Sequence, residues 1–143
     1  MLTYVEFRSD AFPPYEGEED DINPVRYGKR LAEFLSDGLR KKGFYPHDLI
    51  AEDWGWMLPI ENEDFPLWIG CGNYDESPNG FLCFIEPHEP TITKFLFFGK
   101  TDTSERVGAL QRAIDEILSS EISITDKHWS SHEEFNNPAI NET

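Results

Sequence analysis

Basic residues are scarce in this sequence. Its 143 residues include 12 Lys and Arg against 28 Asp and Glu, which gives a formal net charge of −16. A charge of this sign and size repels the phosphate backbone of nucleic acids and the anionic surface of membranes. The composition therefore argues against nucleic-acid and membrane binding. It leaves a basic protein partner, a bound cation or plain solubility as explanations for the charge.

Cysteines and long apolar stretches are scarce as well. Cys71 and Cys83 are too few to build a disulfide scaffold. No stretch approaches the roughly 18 apolar residues that a membrane span needs. Residues 1–8 lack the basic and apolar regions of a signal peptide. These absences predict a cytoplasmic protein with reduced thiols.

Local catalytic signatures are also missing. The sequence contains no phosphate-binding glycine loop, nucleophile elbow or paired-cysteine zinc motif. His128 and His132 have the i, i+4 spacing of a helical metal site, but no third ligand follows at a convincing spacing. We therefore predict no catalytic residue, no metal site and no cofactor, and the balance is against an enzyme.

Aromatic residues, by contrast, make up 14% of the chain. Together with periodic aliphatic residues they predict the order β-α-β-β-β-β-α-β, with helices over residues 24–42 and after Asp102 and a strand over residues 91–98. Such an order favours an α+β fold, in which an antiparallel sheet of about five to seven strands carries two helices on one face. Residues 1–129 are predicted to form a single domain, and residues 130–143 a frayed polar tail.

The first predicted hairpin contains three of the four tryptophans. If residues 62–64 form a tight turn, Trp56 lies opposite Gly70, where a large ring would protect the glycine backbone. This register predicts that three rings share one face of the sheet: Trp54, Trp56 and Trp68. It places Ile69 and Cys71 on the opposite face, so both faces are apolar.

An antiparallel sheet with two apolar faces needs two covers. The helices cover one face, and the candidates for the other are residues 12–15, a second chain or a binding partner. In the second hairpin, a loop over residues 75–80 places Cys71 opposite Cys83, which we interpret as two small buried thiols.

Charge is unevenly distributed along the chain. The predicted helix over residues 24–42 carries half of the 12 basic residues, whereas residues 16–21 form an acidic run. The carboxylates of this run repel one another, so we expect an exposed, mobile loop that steers a basic partner towards nearby aromatic anchors. The predicted partner-binding residues are Phe12, Tyr15, Glu18, Glu19, Asp20, Asp21, Trp54, Trp56 and Trp68. In the helix we expect three buried leucines, Leu31, Leu35 and Leu39, and three exposed basic residues, Arg30, Lys41 and Lys42.

Several short segments carry a resemblance to a known kind of protein. They are Asn23-Pro24, Tyr27-Gly28-Lys29-Arg30-Leu31, Glu52-Asp53-Trp54-Gly55-Trp56 and Leu67-Trp68-Ile69-Gly70-Cys71-Gly72. Over roughly residues 20–90 the chain resembles small uncharacterised bacterial proteins, among whose acidic α+β members are immunity proteins of toxin systems. The resemblance implies inhibition of a toxin by binding, and it transfers no active-site residue.

Three functional hypotheses follow. The leading one is a non-enzymatic protein-binding module, of which an immunity-like inhibitor is one form. The second is a small enzyme or ligand-binding protein with a pocket at the tryptophan-rich sheet face. The third is a homodimer that buries this face, so that the chain is either a monomer or a homodimer.

Overall fold

Six antiparallel strands form the main sheet. In the computed structural model, which describes residues 1–74, 78–93 and 99–137, they are β1 (Tyr4–Arg8), β2 (Ile50–Glu52), β3 (Gly55–Ile60), β4 (Leu67–Asn73), β5 (Gly80–Glu86) and β8 (Thr125–Ser130). Their spatial order is β2-β3-β4-β5-β1-β8. A separate two-stranded ribbon contains β6 (Thr91–Thr93) and β7 (Lys100–Asp102). The structure confirms the predicted α+β fold and its antiparallel sheet.

Two long helices pack on one face of this sheet, as the sequence predicts. They are α2 (Lys29–Lys41) and α3 (Ser104–Ser120), and each contacts the other and the central strands. Leu31, Leu35 and Leu39 of α2 are fully buried, as expected from their helical spacing. Two short helices, α1 (Glu18–Asp21) and α4 (His132–Asn136), are absent from the predicted order. Within the described ranges, no helix combines the length and apolarity that a membrane span requires.

The first long helix begins later than predicted. Asn23 does not cap it, because the residue at its N-cap is Gly28. The Asn23 side-chain amide instead donates a hydrogen bond to the carbonyl of Asp53. Val25 has a φ of 59°, which is incompatible with a helix over this segment. The helix therefore starts at Lys29 and ends at Lys41, just before Gly43 at a φ of 90°.

The register between β3 and β4 corrects the predicted one by a single residue. Trp56 pairs with Cys71, and Met57 pairs with Gly70. The connection between the two strands is longer than a tight turn, and the Asn62 side-chain amide donates within it to the Phe65 carbonyl. A shift of one residue moves every side chain to the other face. Trp56 therefore faces the helices and is 5% exposed, and the prediction that it shares a face with Trp68 is wrong.

The register between β4 and β5 agrees with the prediction. Cys71 pairs with Cys83, and their sulfur atoms are 3.8 Å apart as two free, buried thiols. Burial, followed by the neighbouring Cys71 thiol, raises the pKa of Cys83 well above its ordinary value. Both side chains therefore act as small apolar groups within the core.

The C-terminal segment differs from the predicted frayed tail. Strand β8 extends to Ser130, and Ser131 then caps α4 in a capping box with Glu134. The ring of Phe135 stacks on Tyr4 at 4.7 Å, which anchors this short helix to the sheet. Parts of three predicted features lie outside the described residues: 75–77 of the loop, 94–98 of the strand and 138–143 of the tail.

The observed register gives the first prediction. A Cβ added at Gly70 would lie 2.3 Å from the ring of Phe84, its partner on β5. We expect Gly70→Ala to displace this ring and to lower the free energy of unfolding by about 1–3 kcal/mol, as overpacking does. The measurement is urea denaturation.

The matched control is Gly108→Ala in the second turn of α3. There the added Cβ meets the tip of the Arg112 side chain at 3.3 Å, so it has room after a small movement. Because alanine favours helix, this variant should be neutral or more stable by about 0.5–1 kcal/mol. Equal effects of the two substitutions would contradict the observed register.

Candidate functional site

Three aromatic rings form a continuous cluster on the sheet face turned away from α2 and α3. The ring centroids of Trp54 and Trp68 are 6.0 Å apart, and the ring of Phe84 lies 5.1 Å from Trp54 and 5.6 Å from Trp68. All three side chains are half-buried. Pairing places three further apolar side chains on the same face. We call this set the aromatic face: Ile50, Trp54, Met57, Pro59, Trp68 and Phe84.

Glycines in the strands allow these rings to lie against the backbone. Gly70 leaves the space that Phe84 fills, and a Cβ at Gly72 would lie 2.8 Å from the carbonyl oxygen of Trp54. Gly55 has a φ of 151°, which places Trp54 out of the alternation of β3 and on the same face as Trp68. The prediction that Trp54 and Trp68 share a face is therefore confirmed.

Carboxylates border the aromatic face. Glu86 is paired with Trp68 across β4 and β5, and Glu52 lies two residues beyond Ile50 on β2, so both point to the same side as the rings. Both are half-buried. The Glu86 carboxylate accepts from His88 Nδ1 at 2.9 Å. The apolar centre of this surface thus has an acidic rim.

Helix α4 covers the neighbouring part of the same sheet face. Its Phe135 ring stacks on Tyr4 and lies 5.6 Å from Tyr74. Tyr4 in turn stacks on Phe84 at 5.5 Å, so a row of rings joins α4 to the aromatic face. Burial, and then the nearby Glu86 charge, raise the pKa of Tyr4 above its ordinary value.

Three of the predicted partner-binding residues lie in the interior. Phe12 is buried on the helix side, against Phe34 and Phe81, so residues 12–15 do not cover the aromatic face. Trp56 is buried on the same side. Glu18, which the sequence places in an exposed loop, is 3% exposed. These three side chains are therefore part of the buried interior and do not form an exposed binding surface.

The carboxylate of Glu18 accepts four hydrogen bonds. Its Oε2 atom accepts from the backbone N–H groups of Gly28 and Lys29 at 2.8 and 2.9 Å, and from Trp56 Nε1 at 2.9 Å. Its Oε1 atom accepts from the Tyr15 N–H at 2.9 Å. The residue at the N-cap of α2 is Gly28, which has no side chain to accept from the first helix amides. Glu18 accepts from them instead, although it belongs to a separate segment of the chain.

The other residues of the acidic run lie at the surface. Glu19 accepts a hydrogen bond from the Val25 N–H. Val25 is 75% exposed and has a left-handed backbone conformation, which this hydrogen bond helps to stabilise. Asp20 and Asp21 are exposed on α1. The predicted mobile loop is thus in part a short helix fastened by Glu18 and Glu19.

The Tyr15 side chain is exposed, but its ring and its hydroxyl both contact residues of α2. The Arg30 guanidinium lies 3.9 Å from its ring centroid, and its hydroxyl donates to Glu33 at 2.5 Å. This hydrogen bond is the main cause that raises the pKa of Tyr15. Arg30 also donates to the Pro13 carbonyl and is half-buried, which corrects the expectation that it is largely exposed.

The helix side also contains a cavity lined by ionisable side chains. A cavity of about 430 Å³ lies beside Trp56 at the edge of α2. Of its ionisable groups, Arg40 lies 3.8 Å from Asp37, and His47 Nε2 lies 2.6 Å from the Glu61 carboxylate. Among the described residues, no three His, Cys, Asp or Glu side chains converge to hold a metal ion.

Comparisons of the chain with models of protein families, with curated proteins and with solved structures found no match. The resemblance to immunity proteins therefore stays a prediction. Sequence reasoning missed the contributions of Tyr4, Phe84 and Phe135 to the site. Their signal was the spacing of apolar residues in β5 and the capping box after Ser130, both of which are readable in the sequence.

The second prediction concerns Glu18. In Glu18→Gln, an amide N–H₂ group replaces one of the two carboxylate oxygens. This group is a donor, and it would face N–H groups that donate to Glu18 in the wild type. Because buried donors lose charge-assisted hydrogen bonds, we expect the free energy of unfolding to fall by about 3 kcal/mol. Urea denaturation measures the loss, and the ¹H shift of Trp56 Nε1–H reports the local contact.

Asp20→Asn is the charge-matched control, two residues away on the exposed side of α1. It should change the free energy of unfolding by less than about 0.5 kcal/mol. If the two variants were equally stable, Glu18 would be a surface residue in solution and its capping role would be refuted.

Proposed function

We propose that this protein is a cytoplasmic, non-enzymatic protein-binding module that binds a basic segment of a partner protein through its aromatic face. The observation that carries the proposal is the cluster of Trp54, Trp68 and Phe84, which are half-buried on the side of the sheet opposite α2 and α3. The two free, adjacent thiols agree with a reducing compartment.

Ring chemistry supports a protein partner. Tryptophan is enriched among the residues that contribute most to protein–protein affinity, because one rigid side chain buries a large area at low entropic cost. Exposed apolar clusters with a polar rim are typical of interaction sites. The rings of Trp54, Trp68 and Phe84 are in mutual contact, so a small ligand has no space between them.

Charge supports a basic partner. The chain has a net charge of −16, and Glu52 and Glu86 border the aromatic face. A complementary basic surface would be attracted over a distance and would pair with these carboxylates on contact. A second copy of this chain brings the same negative charge to the interface, which disfavours the homodimer. An immunity-like inhibitor of a basic toxin domain is one form of this function.

The third prediction tests the surface in cells. A photo-crosslinking amino acid at position 68 should capture a basic protein. The same group at position 122 should not, because Ile122 is an apolar residue that is 97% exposed outside the aromatic face. The captured protein is then purified, and its affinity is measured by calorimetry at two salt concentrations.

With the purified partner, Trp68→Ala should weaken binding about 10- to 30-fold, as expected for an aromatic hot spot. Ile122→Ala should bind like the wild type, and raising the salt should weaken the wild-type complex. Wild-type affinity of Trp68→Ala, or capture of this chain itself at position 68, would count against the proposal. The second result would support the homodimer.

A further inference from the structure

Two histidines are stacked at the border between α4 and the aromatic face. The rings of His88 and His132 are 3.6 Å apart with an angle of 8° between their planes. His88 follows β5, and His132 is the first residue of α4. Both side chains are half-buried. This stack ties the start of α4 to the sheet.

Both nitrogens of His88 face carboxylates. Nδ1 lies 2.9 and 3.0 Å from the two carboxylate oxygens of Glu86, and Nε2 lies 3.5 Å from Glu89 Oε1. A neutral imidazole has one N–H donor, whereas the imidazolium has two. The positive charge of a protonated His88 would therefore be paired with both carboxylates.

A second proton has the opposite effect. Protonation of His132 would place two parallel cations 3.6 Å apart, and their repulsion acts across half-buried rings that water screens poorly. Glu86 and Glu89 face His88 rather than His132. From β1, Tyr4 faces His132 edge-on at 5.5 Å, and its raised pKa keeps it neutral. The acids of α4 itself are Glu133 and Glu134, the latter in the capping box with Ser131.

Movement of α4 would change the aromatic face. Phe135 of α4 lies on Tyr4, and Tyr4 lies on Phe84. Release of α4 would therefore expose Tyr4 and free the adjoining edge of Phe84. The apolar surface open to a partner would grow across β5 and β1.

We propose that the stacked pair of His88 and His132 is a pH-sensitive clasp. With at most one proton on the pair, the clasp holds α4 over Tyr4. With two protons it releases α4 and enlarges the aromatic face. The geometry of the two rings supports the clasp itself. The further claim that the clasp regulates partner binding rests on the proposed function.

The fourth prediction tests the clasp on the isolated protein. In an NMR titration from pH 8 to pH 5, the Cε1–H signals of His88 and His132 should show two coupled steps, because the first proton hinders the second. His128, which is exposed and outside the stack, serves as an internal control. Independent single steps at His88 and His132 would overturn the clasp.

Hydrogen exchange then reports on α4 directly. After correction for intrinsic exchange, the amides of α4 should be at least ten-fold less protected at pH 5.5 than at pH 7.5. His132→Phe keeps an aromatic ring in the stack without a second charge, so its α4 should stay protected at both pH values. His128→Phe should behave like the wild type. Equal protection of wild-type α4 at both pH values, or opening of His132→Phe at pH 5.5, would overturn the clasp.

A final measurement separates the clasp from the proposed function. Wild type and His132→Phe are compared for binding of the purified partner at pH 5.5 and pH 7.5. A pH dependence that His132→Phe abolishes supports regulation. Release of α4 with no effect of His132→Phe on binding overturns the regulatory link and leaves the clasp standing. Loss of Trp68-dependent binding at both pH values refutes the proposed function alone.

Discussion

One buried carboxylate organises the helix side of this protein. Burial of an unpaired carboxylate would cost several kcal/mol, so Glu18 is tolerated in the interior only because four donors surround it. These donors belong to the N-terminal segment, the start of α2 and strand β3. A single anion therefore fixes where α2 begins, keeps Trp56 inside and fastens the acidic run to the sheet. Gly28 makes the arrangement possible, since a Cβ there would lie 2.8 Å from the Cys71 carbonyl oxygen.

The helices bury one face of the sheet in the core, whereas the other face is only partly covered. The closed face is filled by leucines, isoleucines and the Cys71–Cys83 pair, which are all buried. On the other face, β4 contributes Gly70 and Gly72, so the rings of its neighbours lie flat on the strand instead of interdigitating with side chains. The surface there is apolar, and among the described residues α4 covers its part over Tyr4. Glycines in β4 thus build an aromatic surface rather than a second core.

The sequence carried the parts of the fold that depend on local patterns. The leucine stripe of α2 and the Cys71–Cys83 pairing follow from periodicity and turn spacing, and both are observed. The register of β3 against β4 was not accessible, because strands that are apolar on both faces give no alternation that selects one register. Glu18 was not accessible either. Within an acidic run each carboxylate looks alike, and the donors Gly28 and Trp56 that single out Glu18 are 10 and 38 residues away. The capping box of Ser131 and Glu134 in α4 can be read from the sequence. The polar composition of residues 130–143 nevertheless favoured a frayed tail over a helix.

Charge and apolar area act at different stages of the proposed binding. The exposed carboxylates of α1 act at long range, where salt screens them within about 8 Å, so they raise the rate of encounter more than the stability of a complex. Glu52 and Glu86 differ because they border the rings and would lose water when a partner covers Trp68. A desolvated carboxylate without a cation opposite it costs more than the adjoining apolar contact returns. In the proposed binding, the rim would therefore favour apolar partners that present lysine or arginine at the two edges of the aromatic face.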